Sequence, residues 1–410
     1  MSQPVHAPVR PVHDKATLLS FASMSAWSWF VYGLGASLAL LSDEQDSASW
    51  VEGLHGSALA LMSDEQDSAP WVEGLHGSAL ALGGVVGALM APALIRRYGR
   101  GRVLRAGVIG SAVLITAFLI PGTPPAWTLS TVFVTCFFGN LVVVCVNAFI
   151  AIHQGPASPP AFTESLALSA LMGLLAPLAI GLATASVLGW RAGMAVSIVA
   201  FLVIEVLRGR RLGVYDQHEK TQAMTAPGPL PRLTFWALFA GMSYIGAEFC
   251  MNLWGVELIR ERTGLSAGLA AAGLSTLLGG LFCGRAFGAG LARRMSSEFL
   301  LRWSLVAGLV AFAVMRLSMV TVVMLSSLFL TGLCLSMVWP MSLARIIRSS
   351  EGRADRASSL ALAFTTTAIG VAPFVLGSLA GSMPIHQAFL LVPLLLGITL
   401  MLVLLRPVAE

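Results

Sequence analysis

Twelve apolar runs of near-bilayer length divide this chain, and few folds can accommodate that pattern. They fall at 18–41, 74–95, 103–120, 128–152, 161–187 and 192–207, then at 233–258, 268–291, 299–315, 319–343, 358–380 and 388–405. A helix crossing the hydrocarbon core needs about 20 such residues. Charge supports the same reading. Only 11% of the residues are charged and the mean hydropathy is +0.81, whereas a soluble domain carries roughly 25% charged residues. Too little charge remains to wet a water-facing surface, so lipid must be the solvent. The sequence predicts an all-α membrane protein of twelve transmembrane helices. The first run is too long for a signal-peptide core and no small-residue cleavage site closes it, so it stays as the first span.

A formal charge of +5 elsewhere suggests nucleic acid. Here the placement of the basic residues points to membrane orientation instead, and no nucleic-acid partner is expected. Of the 25 Lys and Arg, 20 fall in the termini and the alternate connections that share their side. The opposite side holds Arg191, Arg260, Arg262 and Arg316, and Arg285 lies within a span. The positive-inside rule puts both termini in the cytoplasm. Arginine outnumbers lysine 23 to 2, which hints at a GC-rich bacterial genome and so at a bacterial cytoplasmic membrane. All five cysteines fall in apolar segments, with no CxxC pair and no His/Cys spacing suited to metal. They read as packing residues, and no metal or cofactor is expected.

The longest connection on the basic side, 208–232, divides the spans six and six. The expected organisation is a tail at 1–15, a six-helix bundle at 16–207, a linker at 208–232, a second bundle at 233–405 and a tail at 406–410. Two repeats lie inside this frame. One is a near-perfect tandem copy, SDEQDSASWVEGLHGSALALM at 42–62 and SDEQDSAPWVEGLHGSALALG at 63–83. The apolar part of its first copy, 50–62, would extend roughly 20 Å as a helix, short of the roughly 30 Å core. It is expected to lie outside, as an interfacial helix in a duplicated outer loop at 42–83. The other repeat is diverged. GALMAPALIRRYGRGRVLR and GRAFGAGLARRMSSEFLLR share Gly, Leu and Arg positions at an offset of 197, and Ala176–Pro177 answers Ala372–Pro373 at 196. Two matches at nearly one offset imply two homologous halves, a known transporter architecture.

RRYGRGR between spans two and three, Gly189-Trp190-Arg191 after span five, Gly284-Arg285 in span eight and GLCLSMVWP in span ten together resemble the major facilitator superfamily. Arg97, Gly99, Arg100 and Arg102 stand at matching places of its signature loop, while Arg96 replaces the usual aspartate and Pro92 the first glycine. VCVNAFIAIHQ and GAEFCMNLWGVELIRERTGLS are similar to the fucose-permease-like branch. The resemblance implies the major facilitator fold, two pseudo-symmetric six-helix bundles working by alternating access around a central cavity. It also implies that spans five and eight face each other, so that Glu164 and Arg285 would pair as an inner gate; the plainer reading is that Arg285 snorkels and Glu164 starts its helix.

Ionisable residues within spans cost about 2.5–3.5 kcal/mol at a helix centre and are functional candidates by default. Glu248 is the foremost, with Tyr244 and Asn252 one turn to either side on the same face. A carboxyl there suits proton coupling or a cationic substrate, against a plain packing role. Asn140 and Asn147 share a face of span four and must find partners, either substrate or a neighbouring helix. Trp29 and Tyr32 form an aromatic step that could stack on a ring, although core packing explains either alone. These residues make up the expected substrate site, with protons and a small organic solute as partners, lipid as surroundings and a monomer as the unit. No phosphate-cradling loop is present, so secondary transport is the leading function and an enzyme is not expected. The alternative is a membrane-embedded transferase, which would want a His/Asp or paired-carboxylate loop motif.

Overall fold

The computed structural model describes residues 11–53, 70–187, 189–210, 212–216, 229–291, 295–351 and 353–406. Among them twelve helical stretches are long and apolar enough to cross a membrane. The first half contains α1 (Lys15–Gly53), α2 (Pro70–Tyr98), α3 (Arg100–Phe118), α4 (Pro125–Gln154), α5 (Ser158–Thr184) and α6 (Gly189–Arg208). The second contains α7 (Arg232–Thr263), α8 (Ala267–Leu291), α9 (Ser297–Leu317), α10 (Thr321–Leu335), α11 (Val338–Arg348), α12 (Ala354–Ala380), α13 (Ile385–Ala388) and α14 (Leu391–Leu405). The tenth span is α10 and α11 with a break at Ser336–Met337, and the last is α13 and α14. Large apolar side chains such as Leu89, Val113, Val206, Phe287, Leu317 and Val322 point outward. That surface needs lipid, and the chain is a multi-pass membrane protein. The first and last described residues lie on the face where α6 ends and α7 begins, called here the terminal face; the other is the far face.

The diverged repeat is visible in how helices cross. In the first half α2 meets α4 where a Cβ at Gly83 would strike the Phe133 carbonyl and one at Gly87 the Phe137 carbonyl. In the second half α8 meets α10 with Gly280 against the Phe329 carbonyl and Gly284 against that of Leu333. In lipid, close packing substitutes for a hydrophobic drive between helices, so glycine is placed where backbones touch. The halves meet along α2–α12 and α5–α8, with α1 and α7 crossing between them.

One expectation is corrected. The first tandem copy does not begin as an outer loop, because α1 continues without interruption from the first span to Gly53. From Ser42 to Glu52 the sequence offers no Pro or Gly to end a helix, and its Glu, Gln and Ala favour one. Residues 54–69, which hold the rest of that copy, lie outside the described residues.

Each half also closes its terminal face with buried charge, Glu205 of α6 holding Arg105 of α3 and Arg208 in the first. Arg345 (α11) pairs with Glu298 at the start of α9, which also faces Arg302 at 3.7 Å, and Arg345 caps the Arg406 carbonyl. Both side chains are almost wholly buried. Removing one member of such a pair costs about 3–5 kcal/mol, because the other charge is stranded. Glu298→Ala should therefore lower the melting temperature sharply in detergent, and a melt like that of the unaltered protein would refute the assignment.

Candidate functional site

Four helices converge on Glu248, midway along α7. Arg285 of α8 brings Nη2 to 3.9 Å from Oε1, a loose ion pair. The Tyr32 hydroxyl from α1 interacts with that guanidinium, and the ring lies on Gly173 of α5, where a Cβ would come within 2.7 Å of it. Tyr244 sits beside Glu248 and donates its hydroxyl to the Leu335 carbonyl of α10 at 3.0 Å. Asn252, a turn further along, packs against Gly35 of α1. The cluster thus draws on both halves at the seam between them.

Its polar groups are under-used. Glu248 is 5% exposed and Asn252 2%. Among the described residues, Oε2 of Glu248 and both amide atoms of Asn252 have no hydrogen-bond partner. Each such atom costs about 1–3 kcal/mol when left dry, and native structures rarely gather several in one place without a reason. A ligand offering donors and acceptors would satisfy them.

The other expected residues are placed differently. Trp29 points into its own bundle, its indole donating to the Gly193 carbonyl of α6 at 2.9 Å. Asn140 bonds back to the Cys136 carbonyl and lies over Gly84 of α2. Asn147, on the same face, is exposed. Neither asparagine joins the Glu248 cluster. Glu164 is not brought to Arg285 either: it pairs with His13 at 2.6 Å on the terminal face. Arg285 turns instead to the deeper acid, where attraction between charges is least screened.

Gly99 makes the one-residue turn between α2 and α3, with a φ of +86° that glycine adopts without strain. Arg100 donates to the Tyr215 carbonyl at 3.3 Å, Arg97 lies over the Tyr98 ring, and Arg102 is exposed. Nothing in the sequence pattern marks what this turn rests on. Asp216, from the linker, accepts from the Gly101 amide at 3.0 Å. The acid absent at Arg96 is thus supplied from the far end of the half, at the positive end of α3. Nearby, burial works against the Asp14 carboxylate, but donors from Thr17 and His153 outweigh it and hold its pKa below the ordinary carboxylate value.

The far face carries a second overlooked group. Asp43, in the first tandem copy, reaches across the halves to Arg260 of α7 at 2.9 Å, and Arg260 also holds Glu257. Glu44 binds Arg191 at 2.6 Å and accepts from the Trp190 indole at 2.8 Å. The Ser78 hydroxyl also crosses the seam, to the Gly370 carbonyl at 2.9 Å. Among the described residues, the ion pairs on the terminal face each stay within one half. Deleting residues 42–62 brings Asp64 and Glu65 into the register of Asp43 and Glu44. That deletion should leave expression and thermal stability unchanged within error, whereas adding Asp64→Asn and Glu65→Gln to it should weaken far-face closure. Loss of the folded peak from size exclusion on the plain deletion would show the extra copy to be structural.

No family model and no curated protein sequence matches the chain. Solved structures do. The chain is similar to a peptide transporter, POT, in complex with sulfate, at 14% identity and a TM-score of 0.72 over 98% of this chain and 95% of that one. It is similar to an inward-facing bacterial homologue of the human lysosomal transporter Spinster, at 12% identity and 0.65 over 96% of each. It is also similar to the E. coli fucose:proton symporter FucP, at 16% identity and 0.57 over 96% of this chain and all of that one. The order of the spans, the crossing glycines of the two halves and these likenesses agree, and the chain has the major facilitator fold.

Proposed function

We propose that this protein is a secondary transporter of a small organic solute, working by alternating access in a bacterial cytoplasmic membrane with its terminal face in the cytoplasm. The observation that carries the reading is the buried, incompletely paired Glu248–Arg285–Tyr32–Asn252 cluster at the seam of two six-helix halves. A central polar site between two rocking bundles is how this architecture moves solutes. The solved proteins that share the fold include a peptide transporter and a fucose:proton symporter, and proton coupling is carried over from that likeness together with Glu248. The basic bias of the terminal face supports its cytoplasmic placement.

Closure is read from where the halves touch. Asp43–Arg260, Ser78–Gly370 and the Gly35–Asn252 approach lie from mid-span to the far face, so this conformer is shut towards the outside. Exposed ion pairs contribute about 0–1 kcal/mol each, weak enough to break in every cycle. The test is proteoliposomes holding a trapped pH dye. Solutes from a panel of sugars, nucleosides, short peptides and organic acids are added in turn. At least one should drive proton entry that empty liposomes lack. A panel in which no solute moves protons or itself crosses faster than in empty liposomes would defeat the proposal.

A further inference from the structure

The two charges at the seam are not equally reachable. The Arg285 side chain is 30% exposed and that of Glu248 6%, so an incoming ligand meets the cation first. The acid lies behind it. Their 3.9 Å separation is longer than a charge-assisted hydrogen bond, which leaves Arg285 with donor capacity to spare. Tyr32 stands against the guanidinium, and Asn252 adds an unpartnered amide on the Glu248 face. Among the described residues the other helices packed on α7 bring no charge to this level: α12 and α14 meet Gly246 with Ala368, Ala372 and Leu395, α11 meets Gly241 with Trp339, Ser342 and Ile346, and α10 offers the Leu335 carbonyl. The groups facing Glu248 are therefore Arg285, Tyr32, Tyr244 and Asn252.

We infer that the solute is a small organic anion with a single carboxylate, seated on Arg285 and the Tyr32 hydroxyl, and that one proton on Glu248 enters with each anion. This rests on the transport reading above. With Glu248 ionised, the pair is neutral and an arriving carboxylate would sit beside a second buried negative charge. Protonation of Glu248 removes that charge and frees Arg285 for the ligand. Its O–H and the Asn252 amide then become donors to the anion or its substituents. On release, the carboxylate leaves Arg285, the proton leaves Glu248, and the internal pair re-forms. The cycle carries one proton and one negative charge together, so it is electroneutral.

The purified full chain in lipid nanodiscs is titrated with acetate, lactate and benzoate, each beside its amide and a matching amine. Between pH 8 and 6 the carboxylates should bind up to about tenfold tighter per unit fall in pH, the slope of a single linked proton. Amides and amines should bind at least tenfold more weakly. Glu248→Gln should keep carboxylate binding and lose the slope. Arg285→Ala should lose at least about tenfold in affinity, with Arg285→Lys recovering part of it and showing that the fold persists. In liposomes a potassium-diffusion potential should leave carboxylate uptake unchanged while a pH gradient drives it. Preference for amines or for the amides would overturn the anion assignment yet leave transport intact if those solutes still move. Binding of carboxylates with no dependence on pH would overturn the coupling. If no solute of any charge crosses, the transport reading falls, and this inference with it.

Discussion

Gly35→Val should cut steady-state transport at least tenfold while leaving the protein folded. A Cβ at position 35 runs into the backbone carbonyl of Asn252 on α7, and a helix backbone cannot swing aside as a side chain can. The collision is between α1 of one half and α7 of the other, so it bars their approach without touching the crossings inside either bundle. Overpacking of this kind costs about 1–3 kcal/mol. Applied to one side of a two-state equilibrium, that shifts populations by about 5–150-fold. The far-face-closed conformer should be depleted, and a cysteine pair replacing Asp43 and Arg260 should cross-link far less in the Gly35→Val background. Gly397, where a Cβ meets nothing within 4 Å, supplies the control, and Gly397→Ala should cross-link and transport normally. Undiminished cross-linking in the valine variant would mean that α1 and α7 do not govern closure.

What was legible in the sequence is what lipid dictates. Spans announce themselves because a bilayer tolerates little charge across about 20 residues, and their order then follows. The offset of 197 was readable because glycine is demanded wherever two backbones touch: Gly83 and Gly87 answer Gly280 and Gly284 at α2–α4 and α8–α10. Glu248 stood out because buried charge is rare. Its partner did not, since Arg285 lies 37 positions away and the family resemblance pairs it with Glu164 instead. Pairings on the two faces were hidden for a related reason. His13, Asp216, Asp43 and Glu44 sit in polar stretches where no periodicity marks one residue over another, and only the fold brings them to Glu164, Gly101, Arg260 and Arg191. Trp29 and Tyr32 illustrate the limit of helical spacing. Three positions apart on α1, they straddle the edge between bundle interior and seam, so one finds the Gly193 carbonyl and the other Arg285.

Glu248→Gln should abolish solute-driven proton movement while preserving insertion and the folded state. The two side chains are nearly isosteric, so packing against Tyr244 and α1 is retained. The amide cannot release a proton, and it holds position 248 permanently in the uncharged form, with Arg285 left free of its ion-pair partner. A cycle that needs Glu248 to alternate between charged and neutral forms would then stall in net uptake. Exchange of solute across the membrane, which needs no proton to leave, should continue. That split separates a coupling group from a structural one, because a packing defect would depress exchange and net uptake together. Wild-type uptake should rise as the outer pH falls, since the loaded form requires a protonated carboxyl; the glutamine variant should give a flat profile. The measurement is paired net-flux and exchange assays in proteoliposomes over the same pH series. A glutamine variant that keeps the wild-type pH profile would remove Glu248 from coupling, and the loose pair with Arg285 would then serve only to hold α7 and α8 together.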